Sequence, residues 1–422
     1  MELTSQTIGA AAGWLGAIWI SAQSLLLAVR ALRRQRRARR ELSERRNEFW
    51  RRVEVAARVA RAEKAVPDWE GWRPFRVAAI VDEARDVKSF YFTPVDAQPL
   101  ARFAPGQHLT FRLPIPGGAA PLVRCYSLSD RPREDYYRCT IKRIAPPAEQ
   151  PHASGGRGSS YFHEAVKVGD VLEVRAPGGT FLVDPSAPDP IVLVGAGIGI
   201  TPLVSMLDTI LHAGVNRDVY VLFGFHDGGD QPFKDRLTRL ADTHRNVKLH
   251  VSYSSPRAQD MLYRDYNHLG RMTIERVRAI LPSNNFRFYV CGPGPMMESL
   301  VPALWAWGVP ESQVFYEAFG PASVKGVASV QGRGAMAPSC GVRFERSGRA
   351  FSWDGTANSI LEFGESSGLA LASGCRAGSC GECLVAIRSG KVSTLKRPGV
   401  TVPAGHCLTC ISVPDGELIL EA

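Results

Sequence analysis

The chain has 422 residues, long enough for two to four domains, and its 45% hydrophobic and 22% charged content excludes a disordered polypeptide. Residues 1–64 hold 14 Lys and Arg against six Asp and Glu, so most of the net charge of +10 sits there. The remainder is nearly neutral and has no basic stripe, which argues against a nucleic-acid partner.

Ile8 to Val29 carries no charge and is rich in Ala, Leu, Ile and Trp. As a helix it would span about 33 Å, enough for a bilayer core. The arginine run from Arg30 to Arg40 follows the apolar stretch, whereas a cleaved signal peptide carries its positive charge before it. Residues 1–30 are therefore expected to be a single-pass transmembrane anchor in the cell inner (cytoplasmic) membrane. The positive-inside rule then keeps the catalytic domains in the cytoplasm. Residues 31–66 read as a basic amphipathic helix, with Leu42, Phe49, Val53, Ala56 and Ala60 forming one apolar stripe. Its arginine face suits anionic membrane lipid, a coiled-coil stalk or packing on the body, and the pattern does not choose among them.

From 67 to 188 short β-forming runs alternate with turns: Phe75–Val81, Val87–Phe92, His108–Leu113, Val123–Leu128, Tyr136–Lys142 and Val171–Val174. With no long helical period between them, they predict a small antiparallel β-barrel. Arg124 and Tyr126 fall on one face of their strand by alternation, followed by Ser127. A guanidinium suits a phosphate, and an aromatic suits a flat ring. The run Gly155-Gly-Arg-Gly-Ser159-Ser160 reads as a glycine turn opening a helix, a natural pyrophosphate cradle. A flexible Pro/Gly/Ser loop is the plainer reading.

From 189 to 320 strands and helical stretches alternate, which predicts an α/β domain with a parallel sheet. The strand Ile191–Val194 runs into Gly195, Gly197 and Gly199, then Thr201 and Pro202, then an apolar helix through Leu211. Strand, glycine turn and helix N-terminus together make a dinucleotide phosphate site. Cys291-Gly292-Pro293 lies at a later strand's C-terminal end, where ligands bind in such sheets. A buried structural thiol is the plainer reading of Cys291. Residues 321–338, small and unpatterned, read as a linker.

In the final stretch, 339–422, Cys375, Cys380 and Cys383 form a C-x4-C-x2-C run, the plant-type spacing for a [2Fe–2S] cluster. Cys407 and Cys410 both compete for the fourth ligand position. Zinc and a disulfide framework are the alternatives. Zinc sites favour paired C-x2-C units, and the five remaining cysteines, Cys125, Cys139, Cys291, Cys340 and Cys407, show no framework spacing. That points to a reducing compartment.

These motifs, in this order, resemble the ferredoxin–NADP reductase superfamily with a C-terminal plant-type ferredoxin, as in the phthalate dioxygenase reductase and vanillate demethylase reductase type. The resemblance implies that R-x-Y-S (Arg124, Tyr126, Ser127) and the G-x-x-S turn (Ser159, or Ser160 one place later) hold flavin. FAD is expected, with FMN left open. It implies that G-x-G-x-x-P (Gly197 to Pro202) and C-G-P (Cys291 to Pro293) hold NADH or NADPH, and that Phe319 covers the flavin. Ser127 and Cys291 would lie near the reacting atoms. The L-x-C-x-x-x-P setting from Leu408 to Pro414 assigns Cys410 rather than Cys407 as the fourth ligand, in an α+β (β-grasp) domain. Superfamily members that use NADPH often carry adjacent Ser and Arg after the third strand of the nicotinamide domain. Here Ser254-Ser255-Pro256-Arg257 displaces the arginine, which favours NADH.

The implied activity is electron transfer from coenzyme through flavin and cluster to an electron-accepting protein. The anchor departs from that soluble type and suggests a membrane oxygenase, hydroxylase or desaturase as acceptor. A respiratory quinone reductase subunit is the rival enzyme. The sodium-pumping type, however, places its ferredoxin before the flavin domain. A redox-responsive membrane scaffold is the non-enzymatic rival, and it would have no need of intact cofactor motifs.

Overall fold

The computed structural model describes residues 69–116, 121–146, 155–317, 319, 339–378, 380–395, 398 and 400–422. The apolar stretch 1–30, the basic segment 31–66 and the linker 321–338 lie outside the described residues. Among the described residues no helix is long and apolar enough to cross a membrane.

The first domain is a six-stranded antiparallel sheet. In chain order its strands are β1 (Arg73–Ala84), β2 (Val87–Pro94), β3 (His108–Leu113), β4 (Leu122–Ser127), β5 (Tyr137–Lys142) and β6 (Val171–Gly178), and they lie in the order β4-β3-β6-β1-β2-β5. An antiparallel bridge from Leu128 to Cys139 joins its two edge strands, so the sheet closes into the expected barrel. Closure removes both unpaired edges. Phe75, Phe90, Phe92, Phe111 and Tyr137 fill the interior with no exposure, joined by Phe162 from helix α1 (Arg157–Glu164). β1 runs three residues beyond the alternating pattern because its register shifts at Val77/Ala79 and Asp82/Ala84. A bulge breaks the period of two without ending the strand.

The second domain is a parallel sheet in the order β10-β9-β8-β7-β11-β12. Its strands are β7 (Ile191–Ala196), β8 (Val219–Phe225), β9 (Val247–Tyr253), β10 (His268–Leu269), β11 (Arg287–Cys291) and β12 (Val314–Glu317). Helices α2 (Ile200–His212), α3 (Lys234–Thr243), α4 (Ile274–Ile280) and α5 (Gly294–Ala306) cover it. Alternation along β7 sends Ile191 and Leu193 into one core and Val192 and Val194 into the other. Burial on both faces explains why this strand reads as an unbroken apolar run. The chain leaves β7 toward β8 and β9, then returns to place β11 on the other side of β7. That topological switch point is where such sheets bind ligands.

The third domain is a five-stranded sheet in the order β14-β13-β19-β15-β17, with a two-stranded β16-β18 ribbon beside it. Its strands are β13 (Cys340–Phe344), β14 (Arg349–Trp353), β15 (Leu384–Ser389), β16 (Val392–Thr394), β17 (His406–Leu408), β18 (Ser412–Pro414) and β19 (Leu418–Leu420). The first and last strands pair in parallel, Val342 against Leu418, while β13 and β14 form a hairpin. Helix α6 (Ile360–Ser366) is capped by the Ser359 hydroxyl, which accepts from the Glu362 amide. Its buried Phe363 packs edge-on against Trp353, with ring centroids 5.1 Å apart. This is the expected α+β ferredoxin-like arrangement.

Candidate functional site

A cavity of about 610 Å³ lies where the three domains meet. β4 supplies Arg124, Cys125, Tyr126 and Ser127 to its wall, and α1 supplies Arg157, Gly158 and Ser159. Tyr126 packs edge-on against Phe162 at 5.1 Å, which fixes its ring, and burial raises its phenol above the ordinary range. Gly158 makes the cradle. A Cβ there would lie 2.8 Å from Tyr126 Oη and 3.0 Å from Arg124 Cγ. Ser159 Oγ donates to Gly156 O at 2.8 Å and accepts from the Ile144 amide at 3.1 Å, so its hydroxyl ties the glycine turn to the end of the barrel. Ser160 takes the next helical position and is absent from the lining. The N-terminus of α1 presents free amides to an anion, and Arg157 stands at that end. His108 of β3 and Lys142 of β5 also line the cavity. Arg157 lies inside the glycine run, whereas His108 and Lys142 belong to no sequence motif. Pairing of His108 with Ser127 across β3 and β4 is what brings the histidine in.

The nicotinamide domain contributes Ile198, Thr201, Glu317 and Phe319. Gly195 is the penultimate residue of β7, and Gly197 to Gly199 form a single 3-10 turn before α2. Gly197 has φ +53°, a conformation that favours glycine. A Cβ on Gly199 would sit 2.5 Å from the Cys291 carbonyl oxygen and 2.7 Å from Gly292 Cα. The glycine turn and the Cys-Gly-Pro turn are therefore packed backbone to backbone across the switch point. Thr201 Oγ1 donates to Ile198 O at 2.9 Å, and Pro202 is buried in the first turn of α2. Pro293 is the N-cap of α5. Cys291 is fully buried within the core, and burial holds its thiol well above the ordinary range. It is absent from the cavity lining. Phe319 is 37% exposed at the cavity wall.

Beyond β9, Arg257 is engaged by acids. It pairs with Asp260 at 2.9 Å and approaches Asp227 at 3.5 Å, while Asp227 also pairs with Arg85 at 2.6 Å. Burial works to raise Asp227, but hydrogen bonds from Arg85, His226 and the Gly229 amide, with the Arg85 charge, together outweigh it and lower the carboxyl to about 2. It is ionised at neutral pH.

The ferredoxin domain brings Gly374, Cys375, Arg376 and Ala377 to the same cavity. Cys380, Cys383 and Cys410 are buried, and Cys375 is half-buried. Cys383 and Cys410 lie with sulfurs 3.1 Å apart. Backbone amides aim at these sulfurs: Gly378 N to Cys410 at 3.2 Å, Cys375 N to Cys380 at 3.2 Å, and Ala377 N to Cys375 at 3.4 Å. Four thiols within a shell of amide donors fit a thiolate-held iron–sulfur cluster. Gly378 and Gly381, at φ +73° and +77°, make the loop's turns. Cys407 instead packs among Val342, Trp353 and Leu420 in the domain core.

Three families match successive parts of the chain. Residues 74–182 match the oxidoreductase FAD-binding domain, 193–301 the oxidoreductase NAD-binding domain and 342–415 the 2Fe-2S iron-sulfur cluster binding domain. A flavohemoprotein of Halalkalibacterium halodurans is 38% identical over 255 residues, covering 60% of this chain and 61% of that protein. One of Chromobacterium violaceum is 38% identical over 252 residues, with coverage of 60% and 61%. The chain thus spans about six-tenths of the length of these curated relatives. The FAD/NAD-binding domain of nitric oxide dioxygenase from Vibrio cholerae aligns with a TM-score of 0.53 at 30% identity, over 60% of this chain and all of that one. Phthalate dioxygenase reductase aligns with a TM-score of 0.52 at 26% identity, over 84% of this chain and 98% of that one. The chain is an oxidoreductase with FAD-binding, NAD-binding and 2Fe-2S domains in that order, and FAD, NAD(P)H and a [2Fe–2S] cluster are its cofactors.

Proposed function

We propose that this chain is a membrane-anchored reductase that takes electrons from NADH and delivers them singly to an oxygenase, hydroxylase or desaturase in or on the membrane. One observation carries the reading: a single cavity is walled by the flavin motif, the nicotinamide domain and the cluster loop, with Cys375 itself in the wall. When bound, FAD supplies the exchange between a two-electron hydride donor and a one-electron cluster. The protein's part is positioning. Tyr126 and Gly158 shape the ring and phosphate cradle, and Arg157 at the head of α1 meets negative charge. Thr201 and Phe319 bring the nicotinamide side to the same space. Arg124 Nη1 donates to Gly374 O at 3.0 Å, which holds the cluster loop at the cavity.

The solved phthalate dioxygenase reductase is described as a modular structure for electron transfer from pyridine nucleotides to [2Fe-2S], and the present chain has FAD-binding, NAD-binding and 2Fe-2S domains. Membrane attachment is inferred from the apolar stretch Ile8–Val29 and its arginine flank. Preference for NADH follows from charge. Arg257 is neutralised by Asp260 and Asp227, and ionised carboxylates there repel a 2′-phosphate.

The test is an anaerobic titration of the full chain, in detergent, with NADH and then NADPH. Joint bleaching of flavin and cluster absorption, with NADH at least about tenfold more efficient in kcat/KM, supports the reading. Flavin bleaching with no cluster absorption in cells able to build clusters would sink the electron path. Membrane fractionation of the full chain against a chain lacking residues 1–30 tests the anchor. Equal release of both into the soluble fraction would remove it.

A further inference from the structure

The sheet's topology sets the direction in which a dinucleotide crosses it. The glycine turn follows β7, the Cys291 turn follows β11 on one side, and β8 and β9 lie on the other. With the nicotinamide toward Cys291, the adenosine half falls over the carboxyl ends of β8 and β9. The loops there are laced together, since Ser254 N donates to Phe225 O at 3.0 Å and Ser255 N to His226 O at 2.8 Å.

The flavin barrel adds a third element. Arg85, in the turn between β1 and β2, donates its amide to Gly229 O at 2.8 Å. Its Nη2 donates to both oxygens of Asp227, at 2.6 and 2.7 Å. Gly229 N donates to the same carboxylate at 2.6 Å, and His226 Nδ1 lies 3.2 Å from it. A carboxylate has about four lone-pair sites. With these partners and a side chain only 4% exposed, Asp227 has nothing left to offer a ribose hydroxyl.

The arginines around it are accessible: the Arg85 and Arg257 side chains are 53% and 37% exposed. Both close on one spot, where a Cβ on Gly229 would lie 2.8 Å from Arg257 Nη1 and 2.9 Å from Arg85 Nη2. Paired guanidiniums suit a phosphate. Here they are matched by acids instead. Asp227 faces both, Asp230 lies 3.3 Å from Arg85, and Asp260 lies 2.9 Å from Arg257.

We propose that Asp227 is a specificity-determining residue that withholds an arginine pair from a 2′-phosphate, and that the flavin barrel supplies one member of that pair, Arg85. The carboxylate excludes the phosphate by holding Arg85 and Arg257 and by its own charge, not by binding the ribose. The proposal deepens the NADH reading above and rests on it.

The experiment measures anaerobic flavin reduction in the full chain, in detergent, as wild type, Asp227→Asn, Arg85→Ala and the double variant. Rates are taken with NADH and NADPH, and adenosine 2′,5′-bisphosphate and AMP serve as competing probes. Asp227→Asn is expected to raise the NADPH-to-NADH ratio of kcat/KM at least about tenfold, mainly through the KM for NADPH. The bisphosphate should gain on AMP in parallel. Adding Arg85→Ala should take most of that gain back. An unmoved ratio in Asp227→Asn overturns the proposal, as does a gain that survives loss of Arg85. So does a loss of NADH efficiency with no gain for NADPH, because a ribose-binding carboxylate predicts that result. If Asp227→Asn fails to fold, Arg85→Ala decides: it bares the Asp227 charge, the ratio should fall severalfold, and an unchanged ratio overturns the proposal. A wild type as efficient with NADPH as with NADH would instead overturn the coenzyme reading beneath it.

Discussion

Arg175, on β6 of the flavin barrel, donates from Nη1 to the carbonyl oxygen of Cys380 at 2.7 Å. Its other nitrogen, Nη2, pairs with Glu382 at 2.7 Å, and the guanidinium lies over the Trp72 ring at 4.6 Å. One side chain thus clamps the cluster loop to the flavin domain, with an aromatic platform fixing its plane. Charge-assisted bonds of this kind contribute about 1.5–3 kcal/mol. Arg175→Ala is therefore expected to slow flavin-to-cluster transfer by on the order of tenfold or more, while flavin reduction by NADH is unchanged. Arg175→Lys, which keeps the charge but loses the fork, should fall between. Stopped-flow absorbance at flavin and cluster wavelengths separates the two steps. Equal rates in all three proteins would show that the clamp does not govern transfer.

Gly158 offers a sharper test of the flavin cradle. Alanine is the better helix former by about 1 kcal/mol, so helix propensity alone predicts a stabilised α1. The new Cβ would press on Tyr126 Oη and Arg124 Cγ at 2.8 and 3.0 Å. Gly158→Ala is expected to lower flavin affinity roughly tenfold while the fold survives. The flavin-to-protein ratio after gel filtration reads the first effect, and circular dichroism reads the second. Full flavin retention would place the cofactor elsewhere.

The two candidate fourth cysteines have opposite surroundings. Cys410 shares the buried thiol group with Cys383, whereas Cys407 is 3% exposed in the domain's apolar core. Cys410→Ser should abolish or strongly reduce the cluster's visible absorption. Cys407→Ser should keep the absorption and cost about 1–3 kcal/mol of stability, because it buries a hydroxyl among apolar groups. Visible spectra with iron analysis distinguish the two, and a reversed result would exchange their roles.

A buried charge group joins the barrel to the nicotinamide domain. Arg236 reaches Asp208 at 2.6 Å and Asp130 at 3.2 Å, and Ser205 Oγ donates to the Asp130 carbonyl at 2.6 Å. Burial raises the Asp208 carboxyl to about 6. Burial also acts on Asp130, but Arg138, Arg236 and Arg133 outweigh it and hold that carboxyl below the ordinary range. A carboxyl raised on folding binds its proton more tightly in the folded state. Its contribution to stability therefore grows as pH falls through about 6, and it opposes folding above that. Between pH 7 and 5 the wild type should gain about 1 kcal/mol relative to Asp208→Asn. Urea denaturation across that range is the measurement, and a pH-independent difference would refute it.

Most local structure was legible in the residues. The barrel strands showed their period of two, and β7, buried on both faces, showed an unbroken apolar run. The glycine turn into α2 lay where strand and helix patterns met. The end of β1 was not legible, because bulges at Val77/Ala79 and Asp82/Ala84 break the alternation while pairing continues. Of the flavin wall, Arg124, Tyr126, Ser127 and Ser159 were readable as motif residues. His108 and Lys142 were not, since strand register brings them in.

By itself the sequence determined the three modules and their order and marked Cys375, Cys380 and Cys383 by their spacing, because these signals lie in short local motifs. Only the tertiary structure decided that the modules share one cavity, that Arg124 and Arg175 grip the cluster loop, and that Cys125 and Cys375 line that cavity together. The two arginine contacts join residues 250 and 205 positions apart. No local period or spacing encodes such pairs; they follow from packing the barrel, the parallel sheet and the ferredoxin domain against one another.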